Sequence, residues 1–313
     1  MRRLVLLAFA AVSTVVCLQG AASNIVLKLA WAQQFRHQLS IDATVTILAL
    51  NAGKETDGDR HGGSRDNAVG LPMVAEILNG ALPPEKPGID ALTPGQHPDK
   101  QVYGAWRLWV EHPPSGGTQC QTFSGTPPAI CAQESGPLGA NSNPLHSFEI
   151  HPVFAVDGVD IARASMVLTS ENQSVKTAAD ALAEYSGANK ILRVVRSASA
   201  LTLNSITVQD NYVRAHLRVT KTRTTTTRQS TGAVDGGFVL ADWVVGDTPV
   251  AVRVFYYLDS EPGHALDAAS VGQEVDLIVM PRINLDTVLS STEAQGNVSM
   301  PLPYEFIAMA VAH

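Results

Sequence analysis

Strict alternation of polar and apolar side chains over residues 212–219 constrains the fold more than any other part of the chain. Tyr212, Arg214, His216 and Arg218 alternate there with Val213, Ala215, Leu217 and Val219. Successive side chains of a strand point to opposite faces, so this period of two indicates a strand with one buried and one solvated face. Strands are predicted in this half of the chain at residues 191–197, 202–208, 211–227, 236–245, 249–258, 273–281 and 303–312. With one helix predicted from Thr177 to Tyr185, residues 158–313 are expected to form a β-rich α+β domain.

The preceding part of the chain is also rich in β-branched and aromatic segments. Strands are predicted at residues 39–50, 102–112 and 145–156. Residues 69–79 fit two structures, because Pro72 and Gly80 suit the ends of a short helix while the apolar residues between them equally suit a strand. The Gly/Pro-rich segment 113–144 is long for a loop inside a domain, and such loops are usually functional or held by a cross-link. No internal sequence repeat is evident.

The N-terminal segment has the pattern of a bacterial export signal. Met1-Arg2-Arg3 is positively charged, and residues 4–18 are almost wholly apolar. Small residues allow cleavage after Ala22 or after Ala32, so residues 1–32 are predicted to hold a signal peptide and the protein to be periplasmic or secreted. The alternative is an uncleaved anchor, and in that case this segment alone would contact the membrane.

Composition narrows the class of partner. The chain carries a net charge of −7, with 45% hydrophobic and 16% charged residues, as expected of a globular protein with a lightly charged surface. A dedicated nucleic-acid binder would normally present a basic surface, so nucleic acid is not the expected partner.

Two cysteines remain beyond the export segment. In an oxidising compartment Cys120 and Cys131 are expected to form a disulfide, which would close a short loop and stabilise the fold by about 2–3 kcal/mol. A metal or redox pair would favour C-x-x-C spacing, which is absent.

Carboxylates and imidazoles recur in the first half of the chain, as a metal site or an acid–base pair requires. The candidate residues are His61, Glu76, Glu111, His112, Glu149 and His151. Strand alternation places Glu149 and His151 on one face, where they could meet Glu76 or His112. The competing interpretation is a structural polar cluster that locks the rim of a barrel. No complete metalloprotease, nucleophile-elbow, P-loop or dinucleotide motif is present, so no cofactor is expected other than, on the first interpretation, a divalent metal.

Three short patterns in this region resemble a known group of proteins. They are D-x-D-x-H at 57–61, M-x-x-E-I at 73–77 and F-E-I-H-P-V at 148–153. In this order they resemble small exported bacterial modules with an OB-fold-like barrel. The resemblance implies a five-stranded barrel over residues 38–157 and a strand at 72–78, but no catalytic residues. The chain departs from the pattern at Gly62-Gly63 and in its long insertions.

An OB-like barrel binds extended ligands across one face. Tyr103, Trp106 and Trp109 are candidates to stack on sugar rings or bases, although alternation puts Trp106 on the opposite face from the other two, which favours packing in the core. The favoured function is an exported, non-catalytic binding or structural module for a saccharide or protein ligand. The alternative is a metal-dependent hydrolase of the phosphodiesterase or nuclease type.

Overall fold

The computed structural model describes residues 22–53, 58–66, 69–95, 97–114, 116–133, 140–161, 175–205, 207–208 and 211–312. Most of the predicted signal peptide, and Asp57 of the D-x-D-x-H pattern, lie outside these residues. The strands are β1 (Ser23–Lys28), β2 (Ser40–Leu50), β3 (Arg60–Asp66), β4 (Pro72–Ile77), β5 (Asp99–His112), β6 (Thr118–Cys120), β7 (His146–Val156), β8 (Val159–Asp160), β9 (Ile191–Arg196), β10 (Ala200–Ser205), β11 (Val213–Thr227), β12 (Val234–Val245), β13 (Thr248–Tyr257), β14 (Glu274–Ile283), β15 (Val298–Pro301) and β16 (Tyr304–Val311). The helices are α1 (Leu29–Phe35), α2 (Lys86–Leu92), α3 (Ala178–Tyr185), α4 (Glu261–Asp267) and α5 (Leu285–Gln295), with short 3₁₀ turns at Pro83–Glu85 and Ala129–Gln133.

The first half folds into the predicted OB-like barrel. Strand β2 pairs antiparallel with β3 and β5, β3 with β4, and β5 with β7. The parallel pair β4–β7 closes the ring, and α2 connects the third and fourth strands of the barrel. Residues 72–77 are a strand rather than a helix, and every one of them is buried. Burial on both faces explains why local periodicity did not decide between the two.

The second half contains a barrel with the same connectivity. Its ring is β11-β12-β13-β16-β14, again closed by a parallel pair between the third and fifth strands, β13 and β16. Helix α4 occupies the place of α2. The chain is therefore mainly β, as predicted, but its second half holds a structural repeat of the first that no sequence repeat reveals. The predicted helix over Thr177–Tyr185 is confirmed as α3, and the Thr177 side chain caps it by accepting from the Asp180 N–H.

A third, five-stranded sheet joins the two halves, in the order β15-β9-β10-β1-β6. Its edge strands come from equivalent places, because β6 lies in the insertion between β5 and β7 and β15 in the insertion between β14 and β16. The Cys120–Cys131 disulfide, confirmed in the structure, lies in the first insertion. Strand β1 is an inner strand that pairs with β10 and β6, so the segment directly after Ala22 is part of the fold.

Apolar side chains fill the barrels and also the contact between them. One buried cluster includes Tyr103 and Phe154 from the first barrel together with Phe255 and Met280 from the second. Burial of this apolar area stabilises the packing of one barrel on the other. In the part of the chain that the structure describes, no helix is both long and apolar enough to cross a membrane.

Candidate functional site

Four of the six candidate carboxylates and imidazoles come together on one side of the first barrel. Neighbouring strands place them there, since His61 of β3 lies opposite Glu76 of β4 and β4 runs beside β7, which carries Glu149 and His151. His61 Nε2 lies 2.5 Å from Glu76 Oε1. His151 Nδ1 lies 3.0 Å from Glu76 Oε2 and 3.4 Å from Glu149 Oε2. None of the four exposes more than 8% of its surface.

Sequence reasoning did not select two further members of this cluster. Tyr212, at the start of the second barrel, donates from Oη to Asp59 Oδ2 at 2.6 Å, and the same Oη lies 2.9 Å from His151 Nε2. The backbone N–H of Asn79 donates to the other oxygen of Asp59 at 3.0 Å. The D-x-D-x-H pattern contained a signal for Asp59. Tyr212 had none, because its contact to His151 joins residues of different barrels.

Arg107 of β5 connects the cluster to the second barrel. Its Nη1 donates to both oxygens of Glu149, at 3.0 and 2.7 Å, and its Nε donates to the carbonyl oxygen of Pro281 in β14 at 3.0 Å. Its Nη2 donates to Glu111 Oε2 at 3.2 Å. His146 Nε2 lies 3.1 Å from Glu149 Oε1. Arg107 itself is fully buried, so the pair with Glu149 is shielded from water.

The remaining two candidates lie at the edge of the cluster. Among the described residues, Glu111 reaches the cluster through its ion pair with Arg107. His112 is exposed, with its ring centroid 5.3 Å from that of His146. Of the two partners that Glu149 and His151 could meet, the structure brings Glu76 to them and not His112. His112 lies opposite His146 whereas Arg107 lies opposite Glu149, so strand alternation places His112 on the other face from Glu149.

The titrating groups of the cluster stabilise one another's charges. Burial alone would lower the pKa of His151, but Glu76, Asp59 and Glu149 raise it well above its usual value. Burial alone would raise the pKa of Glu76, yet His151 and His61 bring it far below the usual range. The pKa of Glu149 is also low, because Arg107 and His146 outweigh its burial. His151 is therefore an imidazolium between two carboxylates, a stable buried arrangement only because each charge has partners.

Asp59 differs from the other two carboxylates. Burial raises its pKa, and the hydrogen bonds from His151 and Tyr212 offset this only in part. The cluster thus contains acids whose pKa values move in opposite directions, a property of many catalytic sites and also of structural ion networks.

A divalent cation fits the donor set of Asp59, Glu76 and His151. Each side chain offers one ligand atom, and these atoms lie within 4.8 Å of one another. Two carboxylates and an imidazole suit zinc or manganese. Such an ion would have to displace a proton from His151. The raised pKa of this imidazole keeps both ring nitrogens protonated, one beside Glu76 and the other beside Tyr212.

The tryptophans proposed to stack on a ligand are in the core. Trp106 is 0% and Trp109 2% exposed. Trp106 packs against Trp31 and donates from its indole N–H to the carbonyl oxygen of Gln38. Neither ring presents a face to a ligand, so both tryptophans have the core role that strand alternation favoured and not the stacking role. Tyr103 is 5% exposed and lies at the contact between the barrels, where its hydroxyl donates to Asp235.

The second barrel has a buried charge cluster at the equivalent position, which the sequence interpretation missed. Arg282 of β14 lies opposite Glu305 of β16, as Arg107 lies opposite Glu149. Arg282 Nε donates to Glu305 Oε1 at 2.7 Å, and Arg253 Nε donates to the other oxygen at 2.7 Å. Arg282 Nη1 also donates to the Trp106 carbonyl oxygen at 3.0 Å. Arg107 of β5 therefore donates to β14, and Arg282 of β14 donates to β5.

A segment of the first insertion lies against the first barrel near the cluster. A Cβ at Gly63 would lie 1.9 Å from the carbonyl oxygen of Asn141. Only glycine permits this approach, which accounts for the departure from the OB-like pattern at that position. The backbone around Asn141 thus closes off part of β3 from solvent.

Comparisons with known proteins add no assignment. No family model, curated protein or solved structure matches this chain.

Proposed function

We propose that the protein is an exported, non-catalytic binding or structural module built on two packed barrels. One observation carries this proposal: the carboxylate and imidazole cluster with the composition of an active site is buried where the barrels meet. A catalytic centre needs a concave opening that admits substrate. Here Glu76, Glu149 and His151 expose 5% of their surface or less, and His151 contacts both glutamates. We therefore infer that the cluster holds the two barrels together.

The arginines that donate from each barrel to the other, Arg107 and Arg282, also support a role in joining the barrels. Arg107 donates to Pro281 and Arg282 donates to Trp106, and each is paired with the glutamate opposite it on the neighbouring strand. A catalytic Arg–Glu pair would not be expected to recur at the same strand positions of the second barrel, where Glu305 pairs with arginines and not with histidines. A pair that holds the two barrels together would be expected in both.

Export to the periplasm or beyond is supported by the apolar N-terminal segment and by the disulfide, since disulfides persist in oxidising compartments. The position of β1 favours cleavage after Ala22 over cleavage after Ala32, because the later cut would remove an inner strand with buried Ile25 and Leu27. We expect N-terminal sequencing of the exported protein to begin at Ser23. A protein that begins at Gln33 would contradict this.

The second candidate is a metal-dependent hydrolase of phosphodiesters. It is favoured by the convergence of Asp59, Glu76 and His151 within metal-binding distance. In that case the metal would activate water, and the chain would have to open between the barrels for substrate to enter.

Metal content and hydrolysis separate the two functions. The purified full chain would be analysed for zinc and manganese and then assayed with bis(p-nitrophenyl) phosphate in the presence of each ion. Under the proposed function, no turnover depends on Glu76, and Glu76→Gln behaves like Glu111→Gln, which alters a carboxylate outside the candidate metal set. Stoichiometric metal, with turnover abolished in Glu76→Gln alone at a temperature where both variants are folded by circular dichroism, would establish the hydrolase instead.

A further inference from the structure

A cleft of about 390 Å³ lies beside the contact between the barrels. Its walls come from Tyr103 of β5, from the loop between β11 and β12 at residues 228–234, and from residues 257–259 at the end of β13. OB-like barrels bind their ligands with the loops at the barrel rim, and this cleft lies at such a loop of the second barrel.

The aromatic wall of the cleft is rigid. The ring of Tyr257 stacks on Phe154 with the centroids 4.0 Å apart, and Tyr103 packs edge-on against both rings, at 5.3 and 6.4 Å. Phe154 is buried whereas Tyr257 is half-buried. Tyr257 therefore presents a fixed, partly accessible ring and hydroxyl to the cleft.

An unpaired negative charge lies at the edge of this wall. Asp259, which lines the cleft, is exposed, and no described residue forms an ion pair with it. Arg228, the guanidinium among the described residues that line the cleft, is already engaged, since it lies 3.8 Å from the ring centroid of Tyr103 and donates to Asp42 at 2.9 and 2.7 Å. The cleft thus combines an aromatic surface with the unpaired carboxylate of Asp259.

Nearby carboxylates act on the hydroxyl of Tyr257. Burial, followed by Asp259, Asp160 and Asp235, raises its pKa to about 12. It therefore remains a neutral hydroxyl, which can accept a hydrogen bond from a cation.

We propose that this cleft binds a primary ammonium group, held between the Asp259 carboxylate and the ring and hydroxyl of Tyr257. An ammonium donates three hydrogen bonds and is attracted to the faces of aromatic rings, so it matches both features of the wall. An amino sugar and a lysine side chain both carry such a group. This inference deepens the proposed binding role by naming the chemistry of its ligand, and it does not involve the buried cluster.

The test is calorimetric titration of the folded full chain with three probes at constant ionic strength. Glucosamine and Nα-acetyl-lysine amide carry the ammonium on a sugar and on a peptide-like group, whereas N-acetylglucosamine carries none. At least one of the two amines is expected to bind, and N-acetylglucosamine is not. Raising the salt concentration is expected to weaken binding, because the Asp259 carboxylate is exposed and its charge is screened by salt.

Three variants assign the binding to the cleft. Asp259→Asn and Tyr257→Phe are each expected to weaken binding of the amine at least fivefold. Asp247→Asn changes an exposed carboxylate in the turn at the far end of the β12–β13 hairpin, and it is expected to leave binding unchanged. Both Asp259 and Asp247 are exposed, so neither substitution should unfold the protein.

Each outcome bears on the proposal. Binding of one amine alone identifies the source of the ammonium and supports it. No binding of either amine would overturn it, as would binding unaffected by Asp259→Asn or equal binding of N-acetylglucosamine, which would indicate a neutral saccharide site. The hydrolysis assay reports on the buried cluster, so a failure there is distinguishable from a failure here.

Discussion

The two barrels hold a glutamate at the same place and neutralise it differently. Glu149 of the first barrel faces Arg107 and two histidines, His146 and His151. Glu305 of the second faces two arginines, Arg253 and Arg282. Imidazoles gain and lose protons near neutral pH, whereas arginine stays charged. The first network therefore contains buried imidazoles, whereas Glu305 is paired with arginines and the imidazole that contacts this second network, His37 beside Arg253, is exposed to solvent.

The largest expected effect distinguishes the two glutamates. Glu305→Gln leaves two buried guanidinium groups without their carboxylate, and we expect it to reduce the free energy of unfolding by about 3–5 kcal/mol. Glu149→Gln should cost less, because Arg107 retains Glu111 and His151 can release its proton. Urea denaturation at neutral pH measures both. Equal losses would show that the imidazoles do not adjust to the missing charge.

Cross-linking of the two insertions provides the next comparison. The first insertion, which supplies β6, is closed by Cys120–Cys131, while the second, which supplies β15, contains no cysteine. Replacing both cysteines by serine is expected to lower the free energy of unfolding by about 2–3 kcal/mol, because the unfolded chain gains loop entropy. The control is wild-type protein unfolded with and without reductant, which should show the same difference. A double variant as stable as wild type would mean that the packing of β6 alone holds the insertion.

The sequence predicted the part of this comparison that depends on local pattern. The first barrel, the disulfide and the nearness of Glu76 to Glu149 and His151 followed from strand alternation, cysteine count and short motifs. The second barrel did not, because its likeness to the first lies in strand order and in one Arg–Glu pair rather than in a repeated motif. Tyr212 and Arg282 were missed for a related reason. Each acts across the contact between barrels, and local periodicity carries no information about such contacts.

The dependence of stability on pH should identify the titratable barrel. The folded pKa of His151 lies above its usual 6.5, so its stabilisation is complete below about pH 6.5 and is lost as pH rises through the folded pKa. The folded pKa values of Glu76 and Glu149 lie below the usual 4.5, so their stabilisation is present above that value and is lost as pH falls. Asp59 has a raised pKa, so its contribution also falls as pH rises, but starting from its usual 3.8 and not from 6.5. We expect greatest stability between about pH 4.5 and 6.5, with a decline of up to about 1.4 kcal/mol per pH unit above it for each proton involved.

Urea denaturation at several pH values checks this decline. His151→Gln should flatten the slope above pH 6.5. His216→Gln, which alters an exposed histidine of the second barrel paired with Asp276, should leave the slope in place. If His216→Gln flattened it instead, the titration would belong to the surface of the second barrel.

The smallest expected effect compares two tyrosine hydroxyls that join the barrels. Tyr212→Phe removes a hydrogen-bond partner from both Asp59 and His151, and we expect a loss of about 1–2 kcal/mol. Tyr103→Phe takes one donor from Asp235, which keeps the hydroxyls of Ser40 and Thr226, so its cost should be about 0.5–1 kcal/mol. The loss in Tyr212→Phe should also change with pH, because its partners titrate, whereas the loss in Tyr103→Phe should not. Equal and pH-independent losses would mean that the Tyr212 hydroxyl is held as an ordinary buried donor, and Arg107 would then be the described residue that links the His151 network to the second barrel.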